Sequence, residues 1–169
     1  MLFVKHFMSS IVIASGLVFA AACASPAADR ADACGNLTGI PLIDLHIGSA
    51  DRVHADGGTP SHCRVVGVIE TEIQFELLLP DIDDWNGRFL MGGGGGFVGR
   101  VQNQARTLYS YGGTPLQRGY ATVGTDTGHE GNAIDASWAL NHPTRQVNFG
   151  HRAIHLTAEA SKSIIRHYY

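Results

Sequence analysis

The sequence lacks any cluster of lysine and arginine residues, and its formal net charge is −3 when the histidines are neutral. A nucleic-acid-binding domain carries a basic patch or stripe, so we expect no nucleic-acid partner. Charged residues are few, at 16%, whereas hydrophobic residues make up 44% of the chain. This composition suffices for a buried core and predicts a folded chain rather than a disordered one.

The sequence also lacks an apolar run long enough to cross a membrane, which takes about 20 residues. The apolar run at residues 11–22 follows Lys5 and is succeeded by small residues at positions 20–24. This pattern is typical of an export signal, so we predict a signal peptide at residues 1–24 and a secreted or periplasmic protein. Two outcomes stay open: cleavage near Ala22 or Ala24, or a lipid anchor on Cys23.

Cysteine is scarce, and only Cys34 and Cys63 follow the predicted signal peptide. Exported chains meet oxidising conditions, in which an even number of cysteines indicates disulfide bonds. We therefore predict a disulfide bond between Cys34 and Cys63, with two buried free thiols as the alternative. The rest of the chain is long enough for about one domain.

Five consecutive glycines, residues 92–96, follow an apolar segment and precede Phe97. A backbone without Cβ atoms can adopt positive φ and lets a ligand reach its N–H groups directly. At the end of a strand, such a run can form an oxyanion hole or an anion-binding turn. A flexible turn that only packs against the sheet is the structural alternative.

The remaining pattern predicts strands and one helix. Alternating or continuous apolar residues predict strands at residues 64–69, 73–79, 88–91 and 120–125, the last two buried. Residues 126–148 are predicted to form a long irregular loop. Apolar residues spaced by three or four predict a helix from residue 148 to 168, with Ile154 and Ile165 widening its apolar side. This order places the chain in the α/β class.

No serine lies in a Gly-x-Ser-x-Gly pattern, the turn that presents the nucleophile of an α/β-hydrolase. Ser110 has Gly112 after it but Leu108 before it, and the serines of the predicted helix are no closer to the pattern. The glycine run nevertheless stands where the oxyanion loop of that fold belongs, and the helix stands where the helix before the nucleophile strand belongs.

Several motifs together resemble the tannase and feruloyl esterase family, and they occur in that family's order over most of residues 62–169. They are His62-Cys63-Arg64-Val65, residues 73–80, residues 85–90 with the glycines and Phe97-Val98-Gly99, Gly119-Tyr120-Ala121, residues 125–129, Trp138-Ala139-Leu140 and residues 148–155. Gly94 stands where the family usually has Asn.

The resemblance implies a secreted α/β-hydrolase that cleaves esters of hydroxylated aromatic acids such as gallate or ferulate. Residues 25–61 would then be a linker and amino-terminal extension, and residues 62–169 the amino-terminal part of the catalytic domain, with a partial α/β-hydrolase sheet. The family's triad, lid domain and calcium site come later, so we expect an incomplete chain that is inactive alone and holds no cofactor. The backbone amides of Gly95 and Gly96 would form the oxyanion hole, and Phe97 could contact the aromatic substrate.

Two further patterns suggest other chemistry. Gly94, Gly96 and Gly99 match a dinucleotide-binding fingerprint, but no Asp or Glu follows within residues 100–125, which argues against such a site. Asp126 and His129 look like two members of a catalytic triad. Because they are only three residues apart, just after a strand, a role in fixing their loop by hydrogen bonds is favoured over catalysis.

His151 and His155 are four residues apart, a spacing that can hold zinc on a helix. Arg152 stands where a metalloprotease carries Glu, and no third ligand is evident. We therefore predict no metal site and assign His155 to a hydrogen-bonded packing position. Trp85 and Trp138 are predicted to pack in the core.

The alternative function is that of a secreted, non-catalytic binding domain built on the same partial sheet. A strand followed by a serine elbow within about 20 residues after residue 169 would favour the enzyme.

Overall fold

The computed structural model describes residues 33–104 and 112–169 of the chain, so the predicted signal peptide and Cys23 lie outside the described residues. The described part forms a five-stranded sheet of order β1-β2-β3-β5-β4. The strands are β1 Leu45–Val53, β2 His62–Ile69, β3 Ile73–Pro80, β4 Phe89–Met91 and β5 Ala121–Thr125. β4 and β5 are parallel, and the other neighbouring strands are antiparallel. The predicted α/β class is confirmed.

β3 and β5 form the buried centre of the sheet. Ile73, Phe75 and Leu77 alternate along β3 with no exposed surface, and every residue of β5 is buried. A strand that is covered on both sides needs residues that tolerate burial at consecutive positions. In β5 these are small or apolar residues together with two buried threonines, Thr122 and Thr125. The predictions for β2, β3 and β5 are therefore confirmed.

β4 is a strand, as predicted, but the prediction that it is buried is wrong. Within the described residues it pairs only with β5, and Leu90 keeps 36% of its surface exposed. The composition of a short apolar segment predicts a buried strand. Burial also depends on how many strands lie beside it, and its own sequence does not contain that information.

β1 was not evident from the sequence, and it lies inside the segment 25–61 described above as an extension. Eight of its nine residues pair with β2, with a register shift between Ile47 and Ser49. Gly48, Asp51 and Arg52 interrupt any apolar alternation. Such residues are tolerated because β1 is an edge strand of the described sheet.

The helical part begins earlier than predicted. α1 spans Pro143–Val147, a π-helical turn follows at Asn148–Arg152, and α2 spans Ala153–Tyr168. A short 3₁₀ helix at Ser137–Ala139 also falls within the predicted loop 126–148, so that prediction is wrong in part. Pro143 occupies the first turn of α1, where its missing N–H leaves no intrahelical hydrogen bond unmade.

α2 packs against the sheet with the predicted periodicity. Ala153, Ile164, Ile165 and Tyr168 are buried, whereas Ile154 is 40% exposed. The prediction that Ile154 widens the apolar side is therefore wrong, while that for Ile165 is confirmed. No helix in the described residues is long and apolar enough to cross a membrane.

A disulfide bond joins Cys34 to Cys63, as predicted, with 5.7 Å between the two Cα atoms. Both cysteines are buried, at 1% and 0% exposure. The bond ties the chain before β1 to the first residues of β2.

Trp85 and Tyr169 stack on each other at the edge of the sheet where β3 ends. Their ring centroids are 3.8 Å apart, and the Tyr169 hydroxyl donates a hydrogen bond to the carbonyl of Pro80 at 2.8 Å. Because β3 runs antiparallel to β5, this edge is opposite to the one where β4 and β5 end. Trp85 packs against the core, as predicted.

Candidate active site

The glycine loop, defined here as residues 92–99, begins where β4 ends. The N–H of Gly92 donates to the carbonyl of Val123 at 3.1 Å, which extends the pairing of β4 with β5 by one residue. Since the two strands are parallel, their carboxyl ends lie at the same edge of the sheet. Ligands of open α/β sheets bind at this edge, so the loop stands where a ligand can reach it.

The backbone of the glycine loop is open to solvent at its centre. Gly93 to Gly96 are exposed, and a turn closes with a hydrogen bond from the N–H of Val98 to the carbonyl of Gly95 at 3.2 Å. Within residues 33–104 and 112–169, no atom accepts a hydrogen bond from the N–H of Gly95 or Gly96. Two neighbouring backbone donors are thus free to bind an anionic oxygen.

A second loop, residues 126–133, follows β5 and pairs with the glycine loop. The N–H of Phe97 donates to the carbonyl of Ala133 at 2.9 Å, and the N–H of Gly131 donates to the carbonyl of Gly99 at 2.8 Å. These two hydrogen bonds fix the carboxyl-terminal half of the glycine loop from outside the sheet.

Gly96 and Gly99 are glycines because the two loops touch backbone to backbone. A Cβ atom on Gly96 would lie 2.1 Å from the carbonyl oxygen of Ala133, and one on Gly99 would lie 2.7 Å from the carbonyl carbon of Gly131. Both residues also have positive φ, at +59° and +74°, which side chains disfavour. By contrast, a Cβ on Gly95 would meet no atom within 4 Å.

Asp126 fixes the beginning of the 126–133 loop. Its Oδ1 accepts hydrogen bonds from the N–H groups of Gln74, at 3.0 Å, and Gly128, at 2.8 Å. Its Oδ2 is buried and has no hydrogen-bond partner among the described residues. Burial raises the pKa of Asp126 to about 6, although the two N–H donors oppose this. The favoured prediction, a loop-fixing hydrogen-bond role, is confirmed for Asp126.

His129 lies inside the same loop and not at its surface. It is 2% exposed, and its ring stacks on Trp138 with 3.7 Å between centroids. Its Nδ1 is 3.5 Å from Oγ1 of Thr127. Burial lowers the pKa of the imidazole, and hydrogen bonding to the backbone of Phe97 and Thr127 opposes that change only in part. A neutral, enclosed ring of this kind serves packing.

Two further rings, those of Phe97 and Phe149, surround that stack. The ring of Phe97 is 6.3 Å from Trp138 and 5.9 Å from Phe149, and the ring of Phe149 is 5.9 Å from His129. Trp138 is 9% exposed, as its predicted core position requires, whereas Phe97 is only half-buried. Phe97 therefore combines an accessible ring with a position beside the free amides.

The histidines of the helix do not form a site. His151 and His155 are both exposed, so the predicted packing position of His155 is wrong. In the parts of the chain that the structure describes, no group of three or more His, Cys, Asp or Glu residues could hold a metal ion.

Sequence reasoning missed the contribution of the π-helical turn. Phe149 reaches the aromatic group from this turn, and Asn148, 1% exposed, lies against Gly128, where an added Cβ would be 2.8 Å from the Asn148 Nδ2. π-Turns inside helices occur often at functional sites. Gly150 was the one local signal, because glycine disfavours a regular helix interior.

Comparison of the sequence with known proteins relates the chain to ester hydrolases. A family model described as "Tannase and feruloyl esterase" matches residues 59–169. An uncharacterized esterase of Xanthomonas campestris pv. campestris is 35% identical over 155 residues, which cover 83% of this chain and 26% of that protein. The mono(2-hydroxyethyl) terephthalate hydrolase of Piscinibacter sakaiensis is 32% identical over 128 residues, which cover 65% of this chain and 21% of that protein.

Comparison with solved structures also relates the chain to an esterase. The crystal structure of an esterase from Aspergillus oryzae matches with a TM-score of 0.68 and 25% identity, over 83% of this chain and 30% of that one. The chain spans about a quarter of the length of the curated relatives that it matches. Its sheet is thus similar to part of an esterase sheet.

Proposed function

Because the chain belongs to the tannase and feruloyl esterase family, we propose that it supplies the oxyanion hole of a secreted carboxylic ester hydrolase. The observation that carries the proposal is a pair of N–H groups, those of Gly95 and Gly96, that make no hydrogen bond to any described residue and lie on an exposed loop at the carboxyl end of β4. Donors that are already oriented before the reaction stabilise the charge that develops on the carbonyl oxygen in the transition state.

The proposed mechanism is acyl transfer through a serine nucleophile. Attack on the ester carbonyl produces a tetrahedral intermediate whose oxygen carries negative charge. The N–H groups of Gly95 and Gly96 bind that oxygen, and the close packing of Gly96 on Ala133 keeps them in place before the substrate arrives. The proposal assigns no cofactor to this chain.

The proposed substrates are esters of hydroxylated aromatic acids. Support comes from the description of the family and from the relative that hydrolyses an ester of terephthalate, an aromatic acid. The half-buried ring of Phe97 directly follows the free amides and offers a surface on which an aromatic acyl group can stack. Phe97 is accordingly proposed as a substrate contact.

We further propose that the 169 residues do not turn over esters by themselves. None of their serines lies in a Gly-x-Ser-x-Gly turn, so the nucleophile would come from sequence outside them. Purified chain assayed with methyl ferulate, propyl gallate and a nitrophenyl ester is expected to show no saturable hydrolysis. Measurable turnover with a defined KM would refute this part of the proposal.

The oxyanion role is tested in a chimera. Residues 33–169 replace the aligned segment of the Xanthomonas esterase, and ester hydrolysis is compared between two variants. Gly95→Pro removes the N–H and is expected to lower kcat by about 10²–10³. Gly95→Ala keeps the N–H and meets no neighbouring atom, so it is expected to retain activity.

Equal activity of the two variants would contradict the oxyanion role. Reading the coding sequence beyond residue 169 is an independent test. A serine elbow there is expected, and its absence would favour the non-catalytic binding domain instead.

A further inference from the structure

The glycine loop contains no side chain that could hold it in one conformation between residues 92 and 96. Glycine loses more conformational freedom on folding than any other residue. A fixed pair of donors therefore needs contacts from outside residues 92–96. In the described structure Gly92 is bonded to Val123 of β5 at one end of the loop. At the other end the contacts come from the 126–133 loop, through the hydrogen bonds from Phe97 to Ala133 and from Gly131 to Gly99.

The 126–133 loop is itself held by several contacts, among them a hydrogen bond from the Gln74 side chain to Glu130 at 3.2 Å. At its start, Asp126 accepts hydrogen bonds from Gln74 of β3 and from Gly128. In its middle, the ring of His129 enters the interior and stacks on Trp138, with an angle of 17° between the ring planes. Residues 130–132 are exposed.

His129 also connects the two loops through rings. Phe149 lies 5.9 Å from both His129 and Phe97, measured between ring centroids, and Trp138 contacts all three. Removing the imidazole would leave a void in the middle of this group, because the ring is 2% exposed. The void would loosen the segment that carries Gly131 and Ala133, the hydrogen-bond partners of Gly99 and Phe97 in the glycine loop.

We propose that His129 is a positioning residue for the glycine loop: its buried ring, stacked on Trp138, holds the 126–133 loop against Phe97 and Gly99. It does not transfer protons in this role, since the ring is enclosed and its Nε2 has no hydrogen-bond partner among the described residues. The consequence for catalysis rests on the proposed function, but the effect on the loop does not.

Amide hydrogen exchange of the 169-residue chain tests the effect on the loop. His129→Leu fills part of the volume but removes the ring, and it is expected to speed exchange of the Phe97 and Gly131 amides by about tenfold or more through local opening. The amides of Val65 and Leu77, which lie in the paired strands β2 and β3, are expected to change much less. His129→Phe restores a stacking ring and should restore protection of both loop amides.

The matched control is Trp85→Leu, which removes a ring stack of similar geometry at the opposite edge of the sheet. It is expected to leave exchange at Phe97 and Gly131 unchanged. Unchanged protection of these amides in His129→Leu would overturn the proposal. So would an increase that Val65 and Leu77 share equally, because that indicates global destabilisation.

Kinetics in the chimera separate this proposal from the proposed function. His129→Leu is expected to lower kcat more than it raises KM, with recovery in His129→Phe. If the loop amides lose protection while Gly95→Pro leaves kcat intact, the positioning role stands and the oxyanion role fails. If Gly95→Pro lowers kcat and His129→Leu changes neither the protection of the loop amides nor kcat, the oxyanion role stands and the positioning role fails.

Discussion

The imidazole of His129 lies almost parallel to the indole of Trp138, at 3.7 Å between ring centroids and 17° between ring planes. Both residues follow β5, and Trp138 lies nine residues after His129, in the 3₁₀ helix Ser137–Ala139. The stack therefore joins two distant parts of the connection between β5 and α1. It also places two large rings behind a loop that consists mainly of glycine.

Acidification is expected to weaken the fold through His129. Burial lowers the pKa of His129, so below about pH 6.5 the unfolded chain binds a proton more readily than the folded chain. The contribution of His129 to the free energy of unfolding therefore falls as the pH drops from 7 to 5. Urea unfolding of the wild type and of His129→Phe at both pH values measures it.

The difference between these two proteins isolates His129, because the other titrating groups are common to both. His129→Phe is expected to lose less stability than the wild type on acidification. A difference that does not change between pH 7 and pH 5 would show that the imidazole is not buried in a way that opposes its charge.

Acidification is expected to stabilise the fold through Asp126, in contrast to its effect through His129. Its pKa in the folded chain is raised to about 6 from an ordinary value of 3.8, so the folded chain binds the additional proton between about pH 6 and pH 4. The free energy of unfolding should therefore rise as the pH falls through this window. At about 1.4 kcal/mol for each tenfold change in proton affinity, the full effect is about 2–3 kcal/mol.

Asp126→Asn provides the comparison, because its Oδ1 can still accept from Gln74 and Gly128 while its charge is gone. The stability of the wild type relative to this variant is expected to increase from pH 7 to pH 4. If the relative stability stayed constant or decreased, the carboxylate would be better solvated than its 1% exposure indicates.

The sequence allowed prediction of those parts of the fold whose signal is local. β5 is buried at every position, β3 alternates buried apolar residues with the half-buried Gln74 and Glu76, and α2 shows the 3.6-residue period of a helix with one buried side. β1 could not be found in this way, because Gly48, Asp51 and Arg52 obscure its alternation. Its pairing depends on β2, which lies elsewhere in the sequence.

In the candidate site, too, some features have a local sequence signal and others depend on residues far apart in the chain. The free amides at Gly95 and Gly96 follow from a run of glycines after a strand, which sequence alone can reveal. The contact of Gly96 with Ala133 and the aromatic group around Trp138 join residues up to 52 positions apart, from Phe97 to Phe149. No local pattern encodes such distances, so these contacts required the structure.

The disulfide bond is expected to contribute strongly to stability. Cys34 and Cys63 are separated by 29 positions in sequence, and closing a loop of that length in the unfolded chain is worth about 3–4 kcal/mol. Replacing both cysteines by alanine should lower the urea midpoint without abolishing the native circular dichroism spectrum. The same shift is expected when the wild type is unfolded in the presence of a reductant, and equal midpoints with and without it would contradict the prediction.

Substitutions at two adjacent glycines should have very different effects on stability. Gly96→Ala places a Cβ 2.1 Å from the carbonyl oxygen of Ala133 and forces alanine to a φ of +59°. We expect a loss of about 2 kcal/mol or more, since the left-handed conformation alone costs 1–2 kcal/mol and the clash adds to it. Gly95→Ala, whose Cβ meets no atom within 4 Å, is expected to change stability by no more than about 0.5 kcal/mol.

Thermal unfolding of both variants measures this difference, and exchange of the Phe97 amide locates it. In Gly96→Ala the loops must separate to admit the methyl group, so the hydrogen bond from Phe97 to Ala133 is expected to open and its amide to exchange faster. In Gly95→Ala that amide should remain protected. Equal stability of the two variants would mean that the loops do not meet at Gly96, and the rigid support of the free amides would then have to come from another contact.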